Sequence, residues 1–174
     1  MEVKFSQEQL DKVKEIISRY PEGKQKSALL PLLHLAQEDF GWCSVEVMDY
    51  IATLLHIKPV EVYEVATFYS MFHMKPVGKY VLEVCQTGPC MLRGSDQIVN
   101  YLKKKLGVEM GGTSADGMFT LKTVECLASC GSAPMMQVED AYYEYLSEEK
   151  IDEILDMFRA NAIHRKEHFP GRTV

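Results

Sequence analysis

The chain has 174 residues, 47% hydrophobic and 25% charged, with a formal net charge of −6. This is the balance of a soluble globular protein with one large domain or two small ones; it excludes a disordered chain, and it offers no basic field for neutralising phosphates, so no nucleic-acid partner is expected. No segment reaches the roughly 18 apolar residues needed to cross a bilayer, and MEVKFSQEQLDKVKEII lacks a secretory layout, so no membrane insertion and a cytoplasmic location are expected.

The elements follow from periodicity and punctuation. Ser6-Gln7-Glu8-Gln9 reads as a capping box, and Leu10, Val13, Ile16, Ile17 and Tyr20 recur at helical spacing behind it. Pro21-Glu22-Gly23 breaks that helix, and SALLPLLHLAQEDF predicts a second, with Pro31 early enough to be tolerated and Gly41-Trp42 at its end. Ser44 caps a third helix carrying Val47, Met48, Ile51, Leu54 and Leu55, and Pro59 opens a fourth expected to run through VEVYEVATFYSMF to Phe72.

At residues 75–79, KPVGK, the helical pattern gives way to a β-rich one, and a domain boundary is expected there. YVLEV (80–84) predicts a strand, residues 91–107 a helix ended by Gly107, and MFTLKTV (118–124) and PMMQVE (134–139) two further strands. AYYEYL (141–146) is expected to pair with the preceding strand across Glu139-Asp140, and Ser147 to cap a helix with Ile151, Ile154, Leu155 and Phe158 inward. The division expected is 1–74 helical bundle, 75–160 α+β domain with a mixed β-sheet, and 161–174 polar tail. In a β-α-β-β-α order with a cysteine just beyond each of the first two strands, both cysteine loops gather at one edge of the sheet.

Five cysteines in a reducing compartment are read as ligands or redox groups before disulfides. Cys85-x4-Cys90 and Cys126-x3-Cys130 make a four-thiolate set, and Cys43 stands apart as a small buried hydrophobe beside Trp42. Zinc takes four thiolates too, but usually from tighter C-x2-C knuckles, whereas C-x4-C occurs among plant-type 2Fe-2S sites. Spacing leans toward iron–sulfur and leaves zinc open. The small residues of QTGP and LASCGSAP suit amide donors aimed at sulfur; Glu83 and Glu125 oppose reduction, and Arg93 is a candidate to offset them. Neither pair has the C-x-x-C spacing of a thioredoxin-type dithiol, and four cysteines in two loops do not suit a nucleophile with a His partner.

The remaining features read blandly. His34 is expected in or near the core of a Leu-rich helix, His164 and His168 in the tail, and Lys103-Lys104-Lys105 on a solvated helix face. ATFYSMF (66–72) is read as core packing with a docking face as the alternative. Neither G-x-G-x-x-G nor a P-loop occurs, so no catalytic residue and no nucleotide site are assigned: the chain reads as a carrier.

Asp116-Gly-Met-Phe-Thr120, five residues, CLASC and then SAP ending at Pro134 form a composite more specific than any cysteine spacing, and CQTGPCMLRG, VYEVATFYSMF and PVGKYVLEVCQ accompany it. On these stretches the chain resembles, nearly from the first helix to about residue 158, the small thioredoxin-fold 2Fe-2S subunit of respiratory NADH:quinone oxidoreductase, complex I. One position departs: the family usually has Gly where Ala128 stands. The resemblance implies a thioredoxin-like ferredoxin domain with Cys85, Cys90, Cys126 and Cys130 holding one 2Fe-2S cluster. It also implies docking on a flavoprotein subunit that binds FMN and NADH, single-electron exchange with that flavin, and a place peripheral to the membrane. The homologous subunit of an NAD-reducing hydrogenase or formate dehydrogenase, and a zinc-bound interaction module, are the rival expectations.

Overall fold

The computed structural model describes residues 3–164, with side chains through Ala160. Two compact units divide at Pro76/Val77.

In the first unit, α1 (Gln7–Ser18) begins where the Ser6 hydroxyl accepts the Gln9 N–H at 3.2 Å. The expected capping box is only half made, because Gln9 Oε1 is buried without a partner instead of reaching back to Ser6. A single 3-10 turn, Gln25–Ala28, leads into α2 (Leu29–Phe40), which buries Leu29, Leu32, Leu33 and Ala36 and ends at Gly41 with φ 83°. Ser44 caps α3 (Val45–Leu55) through the Val47 N–H, and Pro59 opens α4 (Pro59–Phe68). These helices enclose a core in which Leu32, Leu33, Ile51, Leu55 and Val62 are fully buried.

α4 stops four residues short of the expected end. Its inward face is Val62 and Ala66; at about 100° per residue, a helix continued to Phe72 would aim that ring well away from this face. The chain turns instead, Phe72 N–H bonding Tyr69 O at 3.1 Å, and Phe72 enters the core. The Gln37 side chain holds the returning chain, accepting from His73 N–H at 2.7 Å and donating to Met71 O at 2.9 Å. Cys43 is buried, as expected, and burial pushes its thiol up to about 11. His34 is exposed, not in the core; its ring lies 5.0 Å from that of Phe72.

In the second unit β1 (Tyr80–Cys85), β2 (Phe119–Val124), β3 (Met136–Val138) and β4 (Ala141–Tyr143) form a mixed sheet of order β2-β1-β3-β4. β1 runs parallel to β2, with Cys85 opposite Val124, and antiparallel to β3, which pairs with β4. The helix expected over 91–107 is two: α5 (Gly88–Leu92) and α6 (Ser95–Leu106), parted at Gly94, whose φ of 92° favours glycine. α6 and α7 (Glu148–His164) contribute Ile98, Val99, Leu102, Ile151, Leu155 and Phe158 to the core under the sheet. α7 thus continues four residues into the segment assigned to the tail; His168 and the rest of that segment lie outside the described residues.

The Lys103–Lys105 run is more than a solvated face: Lys105 and the Tyr101 hydroxyl both bond Asp152 of α7, and Lys103 pairs with Glu109. Asp116 and its neighbours serve the fold. The Asp116 carboxylate accepts from Ser114 Oγ and from Met118 N–H, Ser114 Oγ accepts from Phe119 N–H, and Thr120 Oγ1 accepts from Gly78 N–H. A Cβ on Gly78 would meet Phe119 N at 2.9 Å, so this close approach needs glycine. The turn sits at the start of β2, the end away from the cysteines.

Candidate metal centre

The parallel pairing of β1 with β2 sends both strands toward one sheet edge, and it is there that the cysteines stand. Cys85 is the last residue of β1 itself, not part of a loop beyond it, and its N–H bonds Met135 O at 3.1 Å. Cys90 lies within α5, five residues on, where the Cys90 N–H closes a turn on Thr87 O. Cys126 is the second residue after β2, and Cys130 starts a 3-10 turn through Ser132. The Ala133–Pro134 peptide that follows is cis.

The thiols fall into two pairs, Cys85 with Cys90 and Cys126 with Cys130, each close enough for one thiol to bear on the titration of its partner. Burial pushes the Cys85 thiol up, but the Thr87 hydroxyl at 3.4 Å, the N–H groups of Leu127 and Thr87 and the Cys90 thiol outweigh it, leaving Cys85 below its ordinary value. Burial, with the Cys85 bond and charge beside it, drives Cys90 up to about 11 despite the Met135 N–H. The bond to Cys126 and its charge raise Cys130. Ala128 N–H lies 3.4 Å from Cys126 Sγ.

Leu127 belongs to the second loop yet donates to a sulfur of the first, and Cys130 is close enough to Cys85 and Cys90 for its charge to be felt by both. Cys85, Cys90, Ala133 and Met135, with Leu127 against them, form an apolar cluster of their own. Both loops therefore converge on one place. Among the described residues no three Cys, His, Asp or Glu side chains close on a single point as a lone metal ion requires. The thiols come instead as two pairs, the division a binuclear iron core takes, with two thiolates to each iron. The donor set fits such a core: four sulfurs with amide and hydroxyl donors already aimed at them.

The charges around the site differ from expectation. Glu83 is paired across the β1–β2 register with Lys122 at 3.6 Å, a partner the sequence did not name, and Glu125 is exposed. Gly88 and Gly131 face open space, so no protein contact demands their smallness. Ala128 has φ 62°, the left-handed conformation that explains why glycine suits this position. Sequence reasoning placed sulfur donors in the stretches that hold Thr87 and Leu127 without naming the residues, and it missed Met135. Thr87, two residues after a cysteine and before Gly-Pro, carried a weak signal; the other two carried none of their own, because their N–H groups matter and their side chains do not.

Residues 13–159 match the family described as thioredoxin-like [2Fe-2S] ferredoxin. Over 155 residues the chain is 46% identical to a subunit of the NADH-quinone oxidoreductase of Rickettsia felis, covering 88% of this chain and 93% of that one. It is 45% identical over 158 residues to the mitochondrial NADH dehydrogenase [ubiquinone] flavoprotein 2 of Dictyostelium discoideum, covering 90% of this chain and 64% of that one. A crystal structure of an air-oxidized NAD+-reducing [NiFe]-hydrogenase shares the fold, with a TM-score of 0.68 at 19% identity over 84% of this chain and 26% of that one.

Proposed function

The chain belongs to the thioredoxin-like [2Fe-2S] ferredoxin family, and on that footing we propose that it is the small electron-transfer subunit of an NADH–quinone oxidoreductase. Cys85, Cys90, Cys126 and Cys130 are its cluster ligands, and no catalytic residue belongs to this chain. The observation that carries this reading is the convergence of the two cysteine loops, with Leu127 of the second packed against the cluster of Cys85, Cys90 and Met135. When bound, the cluster supplies one-electron chemistry, which a hydride donor such as NADH cannot use without a flavin to divide the electron pair. The protein's part is to hold the negative charge: Thr87, Leu127, Ala128 and Met135 point hydrogen-bond donors at sulfur, and the Cys85–Cys90 side is sealed from water.

FMN and NADH are assigned to a flavoprotein partner. Docking on it gives a purpose to the exposed end of α4, where Phe68 is 80% exposed, stacked edge-on against Tyr69, with Met71 nearby. Residues 1–74 are then the docking bundle and 75–160 the cluster domain of a cytoplasmic assembly peripheral to the membrane; among the described residues no helix is long and apolar enough to cross one.

Anaerobic EPR with iron and acid-labile sulfide analysis, on the chain purified with its native partners, tests the whole reading. About two irons and two sulfides per chain, a reduced-state signal and co-eluting NADH–quinone reductase activity are expected. In that complex, hydrogen exchange over residues 66–72 should be slower than in the free chain. One zinc and no sulfide would overturn the cluster, and hydrogenase activity in place of quinone reduction would overturn the assembly.

A further inference from the structure

Cys126 and Cys130 sit on exposed, irregular backbone, yet ligands must be held to a fixed geometry. The segment just after β4 supplies the restraint. Ser129 Oγ and Ser132 Oγ, one on each side of Cys130, both donate to the same carboxylate oxygen of Glu144, and the two hydroxyls are 2.7 Å apart. One oxygen therefore accepts from two hydroxyls, a double role that any carboxyl or amide oxygen can fill and that an ionised carboxylate fills with the stronger, charge-assisted bonds. The hydroxyl bonds in turn hold the Glu144 carboxyl below its usual range.

The neighbours of Glu144 are tied to the same loop. Tyr145 N–H bonds Ser132 O at 2.7 Å, Leu146 N–H bonds Pro134 O at 2.9 Å, and the Tyr142 hydroxyl bonds Leu127 O at 2.9 Å. Lys150 Nζ, from α7, donates to Glu144 O at 2.6 Å and fixes the backbone from which the carboxylate projects. Backbone bonds reach Ser132 and Pro134; the span that carries Ser129 is held by side chains, the Tyr142 hydroxyl on Leu127 O and the Glu144 carboxylate on Ser129 itself.

We propose that Glu144 is a positioning residue for the second ligand pair, its carboxylate clamping Ser129 and Ser132 so that Cys130 meets the cluster in one orientation. The proposal rests on the four-cysteine ligand set above. Its charge adds a second effect: a fixed negative group beside the loop opposes gain of an electron.

The test compares Glu144→Ala and Glu144→Gln in the cluster-loaded chain by rate of iron release to a chelator, reduced-state EPR line shape and reduction potential. Glu144→Ala loses charge-assisted bonds and should release iron about tenfold faster, with a broadened EPR signal. Glu144→Gln retains an acceptor oxygen without the charge, and should restore most of the retention while moving the potential upward. Ser129→Ala, which leaves the charge, should speed release without that upward move, and it carries the test if Glu144→Ala does not fold. Wild-type release rate, line shape and potential in both Glu144 variants would overturn the clamp alone. A wild-type chain that binds no iron and sulfide would overturn the ligand set, and the clamp with it.

Discussion

Cys85 and Cys90 are buried as deeply as the hydrophobic core, at 3% and 2% exposure, whereas Cys126 and Cys130 are exposed. The first pair is seated on a strand end and a helix, and its surroundings, Ala133 and Met135, are apolar. The second pair stands on a loop whose order comes from hydrogen bonds to residues 142–146. The proposed ligand set is thus positioned by two kinds of force. Packing holds the buried half, and it resists local opening; polar bonds hold the exposed half, and each can be removed singly.

The largest effect should come from the ligands. Cys85→Ser and Cys126→Ser are each expected to lower iron content and change the reduced-state EPR spectrum, while Cys43→Ser does neither. The halves should part in the metal-free chain: Cys85→Ser places a hydroxyl in an apolar cluster and should destabilise by about 1–3 kcal/mol, and Cys126→Ser, at an exposed site, by under about 0.5 kcal/mol. Chemical denaturation measures both, and equal losses would break the contrast.

A smaller effect tests where strain resides. Between Cys85 and Arg93 no residue has a positive φ, whereas Ala128, between the second pair, has φ 62°. Ala128→Gly should stabilise the chain by about 1 kcal/mol, because glycine adopts this conformation without the Cβ clash that alanine meets. An unchanged or lowered melting temperature would place the strain elsewhere.

The smallest effect is in acid. Glu144 has its carboxyl lowered by Ser129 and Ser132 first, with Lys150 helping. A carboxylate depressed on folding adds stability above its unfolded value, about 4.3, and that stability is lost as pH falls through the lower folded value. Protection of amides 126–132 in the metal-free chain should therefore decline below about pH 4 before that of residues 80–90. Loss at the same pH in both segments would mean that the two halves are not held differently.

Much of the fold was legible because its signals are local. Ser44, Pro59, Ser147, Gly41 and Gly107 marked helix ends through their own side chains or backbone freedom. YVLEV and FTLKTV marked strands through their β-branched and apolar residues, and in β1 the buried positions alternate from Tyr80 to Val84. Where the reading failed, the deciding feature left no mark in the local pattern. α4 was expected to reach Phe72 because every residue from Val65 onward suits a helix or a core, but the need to bury Phe72 ended it at Phe68. The single helix over 91–107 missed the break because a glycine inside a helical pattern does not announce its φ.

By itself, the sequence singled out the four cysteines proposed as ligands, since their pairing in two small-residue loops is a short-range pattern. It determined too that these loops follow strands able to lie side by side. Tertiary structure alone decided that one pair is buried and the other braced, that Leu127 and Met135 give their N–H groups to sulfurs far away in sequence, and that Glu144 closes on the serines around Cys130. Every residue but proline carries a backbone N–H and many carry hydroxyls, so composition cannot say which will be used; only folding, by bringing them within bonding distance of a particular acceptor, selects them.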